Sequence, residues 1–473
     1  MGVKDFWPFM KKRFPSACTV ADGPTDATHV LLDASTLIYA GVKGAREPFV
    51  VWVTAQCWID EMLRFAPAAV EIRAEFDTRG APKAKIVGRG PEKPVPFAVD
   101  PAAVWDWDDA ETAAAALCAA TEAPKASSSH FHVLMGALRD TAAWPAACTA
   151  YHAHMVSACL DADPALRIML NGTRCTDPPT ETAGDGRGRM FGAGGFVPRD
   201  AGGECYDSLF YGGSEVARRP STVADPDGAW GEGDAKVTRD LLSLIHEVGA
   251  ENYHVMLYSI DSDVLIRAVL ALNAASYPQH VPRVSVCRSM RNGEFEMWNV
   301  NELVLEMKKI GRVESVCKLL LLNGNDFMSH PKQYSLPRIF APLDALKWLP
   351  VTDADWVRYQ FLIEAGVGAG ETAAAKKKLE AAREVVSNSD MTAAAHLGLE
   401  KKPVPVPSGT GKRYKVGGVP DGFAERVAAA VQTRTARARR LEWTLAYFSG
   451  DRFDEFSADW GYGKNESGQL VES

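Results

Sequence analysis

The sequence predicts an α/β protein with a parallel-sheet core, helices on both faces and a smaller, mainly helical C-terminal region. Three observations predict it. Short apolar runs suited to buried strands alternate with stretches of helical spacing. Four of those runs end in a carboxylate: Asp33 after HVLL, Asp77 after EIRAEF, Asp261 after HVMLYSI and Asp326 after CKLLLLNGN. Beyond Pro342 the pattern becomes helical.

Taken in order, residues 5–13 (DFWPFMKKR) have the mixed faces of a short amphipathic helix, and residues 29–32 form a brief apolar run. Helical spacing returns over 51–65. Then Val70, Ile72, Ala74 and Phe76 alternate with polar residues, the period of a half-buried strand. Residues 78–230 are the least regular, Ala-rich near 112–120 and Gly-rich over 184–213, and read as insertion and loop. A helix over about 235–248, a strand at 253–260, a helix after Asp263 and a strand at 316–322 (VCKLLLL) complete the alternation. The basic, Pro/Gly-rich stretch 401–420 reads as a linker or exposed loop.

Composition limits the function classes. The 473 residues carry 52 Lys+Arg against 60 Asp+Glu, a formal charge of −8, and 47% are hydrophobic, so the chain can bury a substantial core. No run of about 18 apolar residues occurs and residues 1–14 are charged and aromatic, so the sequence predicts no membrane span and an intracellular protein, cytoplasmic or nuclear. Nine irregularly spaced cysteines fit reduced thiols better than a disulfide framework.

The carboxylates carry the chemistry. In an open α/β sheet, ligands bind beyond the carboxyl ends of the strands, where residues remote in sequence converge. Two further acidic pairs stand at i, i+2: Glu232 with Asp234 and Asp261 with Asp263; in extended chain that spacing points both side chains one way. Seven carboxylates on one rim repel unless divalent cations neutralise them, and hard oxygen ligands select Mg2+, with Mn2+ as a substitute. Two such ions about 4 Å apart serve in-line phosphodiester displacement. The plainer alternative is that strand-end aspartates form turns and cap helices.

At these residues the chain resembles the XRN-type 5′-to-3′ exoribonucleases, within the wider flap-endonuclease and PIN-like nuclease superfamily. The opening MGVKDFWPFMKKRFP, then VLLDASTLIYAG at 30–41, FDTRGAPKAK at 76–85, WGEGDAKVTRDLL at 230–242, YSIDSDVLI at 258–266 and LLNGNDFMSH at 321–330 are similar to that family's blocks, in its order. LEWTLAYFSG at 441–450, with Trp460 and Tyr462, is similar to its aromatic-rich later segment. The resemblance implies a PIN/FEN-like nuclease domain over residues 1–345, with a long insertion at about 91–230. Residues 346–473 would then be a shortened, mainly helical second conserved region. It assigns metal binding to Asp33, Asp77, Glu232, Asp234, Asp261, Asp263 and Asp326; in a two-metal mechanism the first four would hold one ion, with the last three contributing to the second. The resemblance assigns Lys85 to the substrate phosphate and Tyr39 to the terminal base; Arg89 and Lys93 are the phosphate ligands that remain where the chain departs from the family, and Trp460 of the aromatic segment is expected to bind substrate. The function implied is two-metal hydrolysis of single-stranded RNA, with DNA as a further substrate and protein partners meeting the insertion.

The departures set the alternatives. After Lys85 the run IVGRGPEKPVP breaks the helix that grips a 5′ phosphate in the family, and the DAS triplet with Tyr39 leans towards the flap endonucleases. A structure-specific endonuclease and a nuclease-derived RNA-binding or structural protein with little turnover are therefore the competing readings. Among lesser signals, GTGKRYK (409–415) fails as a P-loop, because Val406 and Arg413 stand where glycine and Ser/Thr are needed. His130, His132, His152 and His154 form two HxH pairs without thiolate spacing, read as surface histidines ahead of a zinc site. The run RTARARR (434–440) is equally a phosphate-holding or a solvated helix face.

Overall fold

The computed structural model describes residues 3–21, 23–33, 65–75, 167–170, 173–174, 233–247, 249–275, 281–289, 295–331, 333–399, 423–449, 462–464 and 470–472. The helix expected near the start is α1 (Phe6–Arg13), which buries Phe6 and Met10, four residues apart on one face. The first strands are β1 (Cys18–Ala21), β2 (His29–Asp33), β3 (Glu71–Glu75), β4 (Arg167–Leu170) and β5 (Thr173–Arg174). Helix α2 (Gly233–Ile245), β6 (His254–Tyr258), α3 (Ser262–Asn273), β7 (Arg283–Ser289) and β8 (Phe295–Asn299) follow, then α4 (Val300–Ile310) and α5 (Val313–Leu321). The remainder is helical: α6 (Leu336–Leu346), α7 (Asp353–Ala365), α8 (Ala373–Asn388), α9 (Met391–Leu399) and the long α10 (Phe423–Phe448), before a small hairpin, β9 (Tyr462–Lys464) with β10 (Leu470–Glu472).

The α/β class is as expected, but the sheet is mixed, not parallel throughout. Eight strands run in the order β1-β8-β7-β6-β2-β3-β4-β5. The pairs β7·β6, β6·β2, β2·β3 and β3·β4 are parallel, whereas β1·β8, β8·β7 and β4·β5 are antiparallel. The antiparallel edge is formed by β1, β7 and β8, which are not among the strands expected from the sequence, although in β7 (RVSVCRS) Val284 and Val286 do alternate with Arg283 and Ser285. Leu31, Val255, Leu257, Val284 and Val286 face the main core, and α2, α3 and α4 pack on that side of the sheet. On the opposite face Val30, Leu32, Ile72, Met256 and Tyr258 are buried too, and Phe65 stacks on Phe295 at 4.4 Å. The helix expected over 51–65 and the linker at 401–420 lie outside the described residues.

Two local expectations change. The run at 316–322 is not a strand but part of α5, followed by a turn. Its apolar residues occur at nearly every position because Val313 through Leu321 is buried, apart from half-buried Glu314, and a fully buried run has no polar face to reveal its period. In β3 the alternation suggested a half-exposed strand, yet all five residues are buried. Its polar members face α2, where Arg73 bonds Glu71 and stands 3.6 Å from Asp240.

The core continues across residue 345: Trp356, Tyr359, Leu441, Trp443 and Tyr447 join the same cluster as Leu31, Val255 and Leu257. A second cluster among α7, α8 and α9 centres on Phe361, Leu362 and Ala382. Among the described residues, no helix is long and apolar enough to cross a membrane.

Candidate metal centre

Strands β2 and β6 are parallel neighbours, with Leu32 opposite Tyr258, so their carboxyl ends emerge together. Asp33 ends β2 and is buried; Ser259, just past β6, donates its hydroxyl to Asp33 Oδ2 at 3.3 Å. The same Ser259 Oγ accepts the Asp261 backbone N–H at 3.1 Å, tying the two strand ends into one loop. Asp261 is the N-cap of α3, its carboxylate accepting the Asp263 N–H at 3.2 Å. The plainer reading of a strand-end aspartate therefore holds for Asp261 as far as geometry goes. Asp261 and Asp263 are also not the extended pair that their spacing suggested. The cap ends the strand, and Asp263 lies in the first turn of a helix, where a carboxylate suits the positive end of the dipole.

Asp263 is buried beside Ser262, whose hydroxyl approaches Asp263 Oδ1 at 3.4 Å and accepts the Val3 N–H at 2.7 Å. The segment that opens the chain is thereby held against the start of α3. It is held from the other side as well, since Asn323 Nδ2 donates to the Lys4 carbonyl at 2.8 Å. Asn323 leads into the turn that carries Asp326, where Asn325 bridges to Met328 and Asn325 Oδ1 accepts the Phe327 N–H at 2.8 Å. Asp326 is buried in this turn. Phe327 points away from it into the aromatic end of α10, 5.4 Å from Trp443 and 5.1 Å from Tyr447.

The electrostatics follow from this convergence. Burial, then repulsion from Asp261 and Asp326 and, more weakly, from Asp234, push the Asp263 carboxyl well above the ordinary carboxylate range. Asp234 opens α2, and its Oδ2 meets Arg267 Nε at 3.2 Å. Arg267 is buried, with its guanidinium 4.6 Å over the Tyr447 ring and 4.3 Å over Phe448. Four acidic residues from α2, α3 and the turn at 325–328 thus share one field, with Asp33 joined to them through Ser259. Such a cluster can retain a proton or take up a cation. Among the described residues, no set of three His, Cys, Asp or Glu side chains is arranged to hold a metal ion.

Of the expected site residues, Asp33, Asp234, Asp261, Asp263 and Asp326 are described; Asp77, Lys85, Glu232, Tyr39, Arg89, Lys93 and Trp460 lie outside the described residues, as do the four histidines of the HxH pairs. The basic run 434–440 does not form a solvated face. Arg434 pairs with Glu364, and Arg437 donates to the carbonyls of Leu322 and Ser329 at 3.1 and 2.9 Å, bracing the turn that bears Asp326. Sequence reasoning missed Ser259, Ser262 and Arg267. The two serines alternate with the aspartates in SIDSD, a pattern that could have flagged them, whereas Arg267 falls in an apolar run and gives no local signal. A scan against protein-family models finds no match to the chain, and no curated protein matches it.

Proposed function

We propose that the chain is a divalent-metal-dependent 5′-to-3′ exoribonuclease acting on single-stranded RNA, built on a PIN-like core. The observation that carries this reading is the buried Asp263 carboxyl, repelled by Asp261, Asp326 and Asp234 beside the carboxyl ends of two parallel strands. The donor chemistry suits Mg2+: every group is a hard carboxylate oxygen, and the repulsion at Asp263 is what a cation would relieve. Asp33, Asp77, Glu232 and Asp234 would hold one ion, with Asp261, Asp263 and Asp326 holding the other. Bound there, the ions would supply an activated water and charge stabilisation for the leaving oxygen.

The chain's own residues do the rest. Ser259 and Ser262 fix the carboxylates against their neighbours, Arg267 offsets Asp234, and the Asn325 turn holds Asp326 at the rim. Lys85 would meet the phosphate, Tyr39 would stack on the terminal base, and Arg89, Lys93 and Trp460 would hold the strand. In this reading residues 1–345 form the nuclease domain, and the 346–473 region braces it through Trp443, Tyr447 and Arg437.

Two sequence features favour a second reading, a flap-type endonuclease: the glycines and prolines of residues 86–96, and the DAS triplet at 33–35 with Tyr39. End-labelled RNA and DNA, single-stranded and flapped, incubated with Mg2+ or EDTA, separate the two. Processive loss of mononucleotides from the 5′ end of RNA in Mg2+ alone supports the exoribonuclease; a single cut at a flap junction supports the endonuclease. Tight RNA binding with no metal-dependent product overturns both.

A further inference from the structure

At the amino-terminal end of the parallel strands, opposite the acidic rim, a second constellation opens on a cavity of about 570 Å³. His254 begins β6 and Arg283 begins β7, and the register sets them side by side, with Ser285 two residues along the same face. His254 Nε2 lies 2.9 Å from Ser285 Oγ, and His254 Nδ1 lies 2.7 Å from Asp26 Oδ1 and 2.8 Å from Arg283 Nη2. The relay requires the tautomer in which the Nδ1 proton goes to the nearer Asp26 carboxylate, which can only accept, with Arg283 bonding Asp26 and Nε2 left to accept from Ser285. Arg283 binds Asp26 as well, and its hydrogen bond is the largest cause holding the Asp26 carboxyl down to about 2, so Asp26 is an ionised acceptor. All four residues line the cavity.

We propose that Ser285, His254 and Asp26 form a hydroxyl–imidazole–carboxylate relay at which Ser285 is a nucleophile towards small carboxylic esters. The two distances are those of a nucleophile within reach of its base and a base oriented by a third group. Burial lowers the His254 pKa, which keeps its imidazole neutral and able to accept a proton. In the proposed site Asn299 would supply a donor for the developing oxyanion. Asn299 of β8 is the register partner of Ser285 and also lines the cavity. Its Oδ1 accepts the Glu302 N–H at 3.0 Å as the cap of α4, which fixes the amide and leaves Nδ2 as its donor end. The cavity volume is that of a small-molecule site, and Ala17, Ala21, Pro24 and Met297 line it together with Ser16, Thr19 and Thr25, a mixed wall suited to a small ester.

In the proposed step Ser285 Oγ bonds to the carbonyl carbon while its proton passes to His254 Nε2. The ester C–O bond then breaks, and the leaving alcohol takes the proton from His254. Water, deprotonated by the same imidazole, hydrolyses the acyl-serine and restores the hydroxyl.

The test is to treat the whole chain with a fluorophosphonate, locate the adduct by peptide mass, and follow hydrolysis of p-nitrophenyl acetate. The expected result is a single adduct on Ser285, lost in Ser285→Ala, with labelling slowed at least about tenfold in His254→Gln. Asp26 acts through the histidine as a positioning residue, so Asp26→Asn should slow labelling while the final stoichiometry stays at one. Absence of an adduct on Ser285 in the wild-type chain overturns the proposal, as does labelling that proceeds at the wild-type rate in His254→Gln. Because Ser285, His254 and Asp26 include none of the rim carboxylates and the proposed step uses no metal, labelling is expected to be unchanged in EDTA, which separates failure here from failure of the nuclease reading.

Discussion

Arg267 and Asp234 join the start of α2 to the middle of α3, with Nε and Oδ2 3.2 Å apart and the guanidinium lying over Tyr447 and Phe448. One buried cation therefore serves an acidic residue of the rim and the aromatic end of α10 together. Arg267→Met leaves Asp234 facing the other carboxylates without this counter-charge, and removal of one partner of a buried pair costs about 3–5 kcal/mol. The expected outcome is a clear fall in the urea midpoint, only partly restored by Arg267→Lys, because an ammonium lacks the planar face that stacks on the rings. An unchanged midpoint in Arg267→Met removes the role given to this contact.

That contact also shows where the sequence was legible. The strands around Asp33 and Asp261 could be read because short apolar runs stop at a carboxylate, and α1 because Phe6 and Met10 repeat at helical spacing. The acidic residues themselves were visible as sequence blocks, and the structure brings Asp234, Asp261, Asp263 and Asp326 into one field. What could not be read depends on partners distant in sequence. Arg437 looks like a surface charge until α10 is laid against the turn at 325–328, and α5 looks like a strand because burial on all sides erases its period. His254, Ser285 and Asp26 sit 31 and 228 residues apart and carry no motif, so only the strand register assembles them.

The acidic rim makes a prediction about catalysis. If Asp263 and Asp326 serve hydrolysis, Asp263→Asn and Asp326→Asn should each lower the rate by several orders of magnitude, and EDTA should abolish it in the wild-type chain. In metal-free buffer Asp263→Asn should also raise the melting temperature, since it removes a buried carboxyl that its neighbours repel. Full RNA hydrolysis by both variants in EDTA sinks the assignment; a drop in melting temperature for Asp263→Asn shows that the carboxylate stabilises the fold.

A pH dependence follows from Glu75 and Asp240, buried together between β3 and α2. Burial, then repulsion from Asp240, hold Glu75 well above the ordinary carboxylate range, and burial raises Asp240 to about 6. Protons bind the folded pair more tightly than the unfolded chain, so this pair penalises folding least at acid pH. Its penalty grows as pH rises from the ordinary carboxylate range through the raised values. Glu75→Gln removes the titrating charge and can keep a hydrogen bond to Asp240. It is expected to raise the melting temperature by a few degrees near pH 8 and to give no gain near pH 4. Equal shifts at both pH values would mean that packing, not charge, sets the cost.

The turn that presents Asp326 depends on Gly324. Its φ of +99° lies in the region that side chains disfavour, and a Cβ there would stand 2.7 Å from the His330 Cα and 3.0 Å from the His330 N. Both are backbone atoms, so no rotamer change relieves the clash. His330 is itself anchored, its Nδ1 bonding the Asn323 carbonyl, and Arg437 holds the Leu322 and Ser329 carbonyls on either side. With both flanks tied, the added methyl must displace the turn at 325–328, and Asp326 and Phe327 move with it. Gly324→Ala is therefore expected to cost about 1–3 kcal/mol from the backbone conformation, with the steric clash adding to it. It should also reduce metal-dependent hydrolysis more than Phe327→Leu, which keeps the turn and shrinks only its aromatic contact with Trp443 and Tyr447. Thermal unfolding and the rate in Mg2+ for the two variants decide it. If Gly324→Ala unfolds with the wild-type midpoint and retains the wild-type rate, the glycine is not what holds Asp326 at the rim.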